Sequence, residues 1–364
     1  MKHLVLGLLA AAAVSSAVPA QAVCLPTGFV RDGNNLTAAF INPSSVVSPV
    51  NATGCDIGLY YTNGPVNVSS VEVYGARYFG ILVDGGSGAI NVQLHNNLIH
   101  NIGEVPFDGT QHGVGIYLEA YNLPIITGQI TNNIVTAYQK GGIVLNGKGV
   151  RLSKLDNNFV EGLGHVDFIA QNGIQIGFGA MPFPGEVVGN HVSGNSYIGT
   201  PGDGSSAAGI LAVGGPLFGD CGTPALPCPY TQNVLIGLTS SLTSASSNVL
   251  LNNDVGVFAF NADAAGNAPA TATTILMFAN IASDDRCYNN SYQAGISDYG
   301  NSDVIAFNYI AQGGGYGPTC GLGIDVTGSI NPQVAFNNVP ETGPLTAASR
   351  AALAAAAPRA VPFR

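Results

Sequence analysis

The sequence predicts an all-β protein, a right-handed parallel β-helix of about eight coils with an N-terminal cap and a short C-terminal helix. Two interleaved repeats and one absence carry that expectation. The first repeat is Asn-x-apolar, entered from a short apolar strand, with its asparagines at Asn97, Asn133, Asn158, Asn190, Asn248, Asn280, Asn308 and Asn337. Its spacings of 36, 25, 32, 58, 32, 28 and 29 residues drift around one coil length. The second is a glycine followed by an alternating apolar strand, as in Gly80-Ile81-Leu82-Val83, Gly113-Val114-Gly115-Ile116, Gly173-Ile174-Gln175-Ile176 and Gly323-Ile324-Asp325. The absence is of any sustained 3.6-residue periodicity in the body of the chain, which excludes helical repeats.

Strands of about four to six residues, rich in β-branched side chains and broken by Asn, Gly, Asp and Ser, suit a solenoid better than propeller blades. Parallel strands joined by crossovers are overwhelmingly right-handed. Asparagines recurring at one corner are expected to stack from coil to coil as a structural ladder, in the way amides stack in cross-β arrays.

In chain order, Lys2, the apolar run Leu4 to Val18 and Ala20-Gln21-Ala22 have the form of a secretory signal peptide over residues 1–22, too short to span a bilayer. Residues 23–60 are expected to cap the first coil, and residues 61–340 to form the β-helix. The 58-residue gap holds Gly214 to Tyr230 with two cysteines, read as a long disulfide-pinned loop. The tail, residues 341–364, is Ala-rich from Leu345 to Ala357 and reads as a short helix ended by Pro358 and Pro362.

Six cysteines in an exported chain read as disulfides, and sequence proximity pairs Cys24 with Cys55, Cys221 with Cys228 and Cys287 with Cys320. No cysteine or histidine cluster has metal-ligand spacing, so no metal is expected, although an acidic surface leaves room for calcium. With 11 Lys and Arg against 21 Asp and Glu, the formal charge is −10. Such a chain lacks the basic footprint that nucleic acid needs. The expected protein is secreted or periplasmic, without a membrane anchor, and monomeric.

The repeat, the leader and the loop-bearing coils resemble the pectate-lyase-like superfamily of right-handed parallel β-helix repeat proteins over nearly the whole mature chain. The resemblance implies an extracellular polysaccharide as partner and a polysaccharide lyase, glycoside hydrolase or epimerase as activity. The alternative is a non-catalytic envelope, matrix or glycan-binding β-helix, whether or not the chain is an enzyme. Neither the arginine-plus-aspartate pattern of pectate lyases nor the aspartate pattern of polygalacturonases occurs; Asp284-Asp285 is an isolated acidic pair.

Candidate site residues come from aligning Gly113, Gly141 and Gly173. That alignment puts Gln111, Gln139 and Gln171 in one column and His112, Lys140 and Asn172 in the next, on opposite faces. Because a buried lysine needs a partner, the second column is expected outside. His112 and Lys140 are candidate bases or electrophilic clamps, and Asn172, Tyr117 and Gln175 candidate substrate contacts. Asp108 and Asp167 enter the same column from two coils apart, about 10 Å, close to the roughly 6.5–9.5 Å between carboxylates of inverting glycosidases. Glu104 and Glu119 can stand in for either. With that column outside, the glutamines are expected to stack inside as an amide ladder; the competing reading makes Asp108-Gly109 ordinary turn chemistry and His112 and Lys140 solvated residues beside turns.

Overall fold

The computed structural model describes residues 22–339, apart from 87, 122–124, 183–185, 200–204, 223–225, 238–246, 288–291, 312–313 and 318–319, together with 359–360 and 363. The candidate leader and the expected helix at 345–357 lie outside the described residues. At 359–360 the chain forms a short strand.

Three long sheets wrap one parallel β-helix. A first sheet of 11 strands and second and third sheets of nine each follow the same sequence order. One coil reads Val114–Glu119 in the first sheet, Ile126–Thr131 in the second and Ile134–Tyr138 in the third. From Ile57–Tyr61 to Ala294–Tyr299, eight successive first-sheet strands each begin a coil that places a strand in all three sheets. At the N-terminal end Leu25–Arg31 pairs antiparallel with Asn34–Ile41, and this hairpin joins the first sheet through Ile57–Tyr61. All three cysteine pairs form as the sequence suggests: Cys24–Cys55, Cys221–Cys228 and Cys287–Cys320.

The interior is one apolar column fed by all three sheets, including Ile116, Ile143, Ile174 and Ile210 from the first, Ile130 and Leu155 from the second, and Val135 and Val160 from the third. Two ladders set its corners. Between the second and third sheets, Asn97 donates to Asn133, Asn133 to Asn158, Asn158 to Asn190 and Asn190 to Asn248, each from Nδ2 to Oδ1 at 2.9–3.1 Å. The ladder continues through Asn280 and Asn308 to Asn337. The residue before the asparagine is often left-handed (Asn96, Asn132, Asn157, Ala279), which turns the chain sharply and aims the amide inward.

Between the third and first sheets runs a ladder of glycines. A Cβ on Gly142 would meet Val160 Cγ1 at 2.3 Å and the carbonyl of Gly173 at 2.5 Å; on Gly173, Val192 Cγ1 at 2.2 Å and Gly209 O at 2.7 Å. The same contact recurs from Gly58 and Gly80 through Gly115 to Gly295. The third sheet turns so tightly onto the first that its inward valine or isoleucine occupies the space of a side chain.

That ladder fixes the register. Val114 pairs with Gly141 and Gly141 with Asn172, so Gly115, Gly142 and Gly173 are equivalent, not Gly113, Gly141 and Gly173. Gln111, Gln139 and Gln171 therefore do not form one column, and neither do His112, Lys140 and Asn172. Gln139 and Gln171 are buried and Gln111 is exposed. His112, Lys140 and Asn172 are buried too, which corrects the outward placement expected for them.

Candidate functional site

Most of the candidate side chains gather at the turn that enters the first sheet and on the outer face of that sheet. At the turn, Gln139 organises residues 104–110. Its Oε1 accepts from the N–H groups of Glu104 and Asp108, each at 3.1 Å, and its Nε2 donates to Thr110 O at 2.7 Å. Asp108 accepts from the Thr110 N–H and hydroxyl. These bonds, from the Thr110 hydroxyl above all, hold its carboxyl below the usual range. His112 Nε2 lies 2.7 Å from Glu104 Oε1, and its ring stacks on Tyr78 with centroids 4.0 Å apart. Arg77 pairs with Asp56 at 2.8 Å.

Asp167 is exposed on a neighbouring loop, and a Cβ on Gly109 would stand 3.0 Å from Phe168 O, so the loops carrying Asp108 and Asp167 touch. Asp108 and His112 are nevertheless committed to shaping the turn: one caps Thr110, the other is packed between Tyr78 and Glu104. Lys140 is fully buried, its ammonium donates to Ala170 O at 2.7 Å, and burial pushes its pKa down to about 7. The four candidate catalytic residues thus lie near one corner without converging on a shared open surface.

The outer face of the first sheet carries a different set. Its register aligns Tyr60, Leu82, Tyr117, Val144, Gln175 and Leu211 in one column, and Asp84, Glu119 and Asn146 in the next. Tyr60, Leu82, Tyr117 and Val144 pack with Leu36, Phe79 and Phe363 in a cluster separate from the interior core, so they face outward beneath covering segments. Asp84 and Glu119 stand level on adjacent coils, about 4.8 Å apart along the stacking direction at their backbones. The Tyr60 hydroxyl donates to Asp84 at 3.1 Å and the Tyr117 hydroxyl to Glu119 at 2.6 Å. Arg31, from the hairpin, reaches within 3.9 Å of Glu119. Burial raises the pKa of both carboxyls, and the tyrosine bonds and, for Glu119, Arg31 oppose it.

The three expected substrate contacts are brought together here. Tyr117 lies one coil before Val144, which lies one coil before Gln175, and Asn172 Nδ2 is 3.4 Å from Gln175 Oε1. Phe363 closes off Tyr117 and Gln175. Its N–H donates to Gln175 Oε1 at 2.9 Å, while its carbonyl accepts from Gln175 Nε2 at 2.8 Å and Asn146 Nδ2 at 2.9 Å. Over the later coils, Leu211, Val213, Phe258 and Phe260 are covered by Phe218 and the Cys221–Cys228 loop.

Sequence reasoning named Glu119 only as a substitute and missed Asp84 and Arg31. The signal existed: Asp84, Glu119 and Asn146 each lie four residues after a ladder glycine (Gly80, Gly115, Gly142). A third polar cluster lies further along, where Ser196 donates to the buried Asp254 at 2.7 Å and His165 Nδ1 approaches Ser196 Oγ at 2.7 Å. Because that hydroxyl proton points to the aspartate, the serine is not set up as a nucleophile. Among the described residues no group of three His, Cys, Asp or Glu side chains is placed to hold a metal ion.

The fold and these side chains define a disulfide-bonded parallel β-helix protein with an acidic, tyrosine-lined outer face. No known protein family, curated protein or solved structure matches the chain.

Proposed function

We propose that this is an exported carbohydrate-active β-helix protein, a glycoside hydrolase acting on an extracellular polysaccharide through Asp84 and Glu119. The observation that carries the reading is the level placement of these two carboxyls on adjacent coils, Asp84 held by Tyr60 from the preceding coil and Glu119 by Tyr117 two residues before it. A coil repeat of about 4.8 Å falls near the roughly 5–5.5 Å between carboxyls of retaining glycosidases, in which one acts as acid and the other as nucleophile. Burial lets both carboxyls keep a proton to higher pH, as the acid role requires, and Arg31 favours the ionised form of Glu119. Three disulfides and the leader-like residues 1–22 support a secreted or periplasmic site of action.

A panel of polysaccharides, read for new reducing ends and for unsaturated products, tests this. Glu119→Gln and Asp84→Asn should each lower hydrolysis by roughly a hundredfold or more at unchanged melting temperature. Activity retained in both variants removes the pair from the chemistry; unsaturated products point to a lyase instead.

The second reading, a non-catalytic matrix or glycan-binding β-helix, is favoured by the covered outer face of the later coils, where Phe218 and the Cys221–Cys228 loop seal Leu211 and Phe258. Retention on a polysaccharide column without any product supports it.

A further inference from the structure

Phe363 is seated by Gln175 and Asn146, which also bond to each other from coil to coil. Gln175 and Asn146 are fully buried on the outer face, between apolar neighbours such as Val144 and Leu211. An amide in such a place is costly unless it is hydrogen-bonded. Here the partners include the main chain of Phe363, a residue 188 positions from Gln175. Gln175 pairs with it as a neighbouring β-strand would, accepting its N–H and donating to its carbonyl. The ring enters a pocket whose walls are Phe79 at 5.7 Å, Tyr117 at 5.0 Å and nearly perpendicular, and the Arg31 guanidinium 4.3 Å from the ring centroid. A second anchor lies a few residues earlier, where Arg359–Ala360 pairs in parallel with Ser205–Ser206.

We propose that this slot is a recognition site for an extended peptide bearing an aromatic side chain, and that Phe363 fills it in cis, anchored by the Arg359–Ala360 strand, as a displaceable plug beside the Asp84–Glu119 pair. The main-chain pairing by Gln175 and Asn146 sets the extended conformation, and the Phe79, Tyr117 and Arg31 walls select the ring. Tethering raises the effective concentration of the segment, so a two-residue strand and one seated residue suffice to keep the slot closed while leaving it open to competition. That the plug guards a catalytic surface rests on the reading above; that the slot recognises the segment does not.

The test uses full-length protein and a labelled hexapeptide of sequence Arg359 to Arg364. Phe363→Ala empties the ring pocket and should bind the peptide about tenfold or more tightly than wild type, whose slot is filled. Adding Gln175→Ala to that variant should weaken binding by about tenfold. In wild-type protein, excess peptide should speed amide exchange at Arg359, Ala360 and Phe363, a measurement that needs no variant to fold. Equal binding by wild type and Phe363→Ala, no binding by either, or indifference to Gln175→Ala each overturns the proposal. Peptide binding by Phe363→Ala with no polysaccharide cleaved by either protein upholds the plug and removes the hydrolase reading. Cleavage by Phe363→Ala well above wild type upholds both.

Discussion

Asn158 Oδ1 accepts from both the N–H and the Nδ2 of Asn133, and Asn158 in turn donates from both of its nitrogens to Asn190. Its Nδ2 also donates to Ile130 O at 3.0 Å. Each rung thus bonds to the coil on either side, and the group is wholly removed from water. Asn158→Leu strips Asn133 of two acceptor contacts and leaves Ile130 O without this donor. Each buried group left unsatisfied costs about 1–3 kcal/mol, so the variant should lose roughly 3 kcal/mol or more in denaturant unfolding. A loss below about 1 kcal/mol would mean that water replaces the rung.

The glycine ladder makes a steric prediction. Gly142→Ala drives a methyl to 2.3 Å from Val160 Cγ1 and 2.5 Å from Gly173 O, one a packed side chain and the other backbone. Overpacking of this kind costs about 1–3 kcal/mol or more. Gly164 has φ +81° and nothing within 4 Å of a Cβ, so Gly164→Ala carries only the backbone cost, about 1–2 kcal/mol. Adding Val160→Ala to Gly142→Ala relieves only the side-chain clash and should recover part of the loss. Melting curves of the three variants decide it; full additivity of Gly142→Ala and Val160→Ala would contradict the packing argument.

These ladders are what the sequence made legible. An amide stacked at a corner must recur once per coil, and so must a glycine beneath an inward valine, so both survive as patterns even when the loops between them vary. The outer face was not legible in the same way. The stretch His112-Gly113-Val114-Gly115 offers two glycines as register marks, and only contact with the next coil selects Gly115. Choosing Gly113 puts His112 level with Lys140. Nor does alternation of polar and apolar residues separate inside from outside here, because outer-face residues such as Tyr117 and Val144 are as buried as the core. What buries them, Arg31 and Phe363, lies far away in the chain and leaves no local mark on these strands.

Gln139 remains testable in its corrected role. It supports the turn before the coil it begins, through Glu104, Asp108 and Thr110. Gln139→Leu should cost about 1–3 kcal/mol. The damage should be local: amide exchange should quicken at Glu104 and Asp108, while Gln171, which bonds Tyr138 O and the Leu163 N–H, keeps its own turn. An exchange change spread evenly over several coils would argue for the continuous glutamine ladder instead.

Buried ionisable groups set the pH profile. Asp254 is completely buried, and although Ser196, Ala207 and Tyr197 bond to it, burial pushes its pKa up to about 7. Burial, then the neighbouring Asp298, pushes Asp303 up to about 8. The folded protein keeps these protons after the unfolded chain has released them near pH 4, so their contribution is full below about pH 4 and is lost as pH rises to about 7–8. Lys140 works in the opposite direction. Burial holds it down to about 7, while the unfolded chain keeps that proton to about pH 10, so its penalty is largest below pH 7 and is relieved as pH rises towards 10. Together they predict a melting temperature that falls from about pH 4 to neutrality and recovers on the alkaline side. Lys140→Met should abolish the recovery and leave the fall. Asp254→Asn keeps an oxygen for the N–H groups of Tyr197 and Ala207 and turns its nitrogen to Ser196, and it should flatten the fall. Melting measured for the wild type and both variants across this range checks each limb separately. A wild-type profile that rises steadily from pH 4 to 7 would mean that Asp254 and Asp303 ionise without penalty in the folded protein.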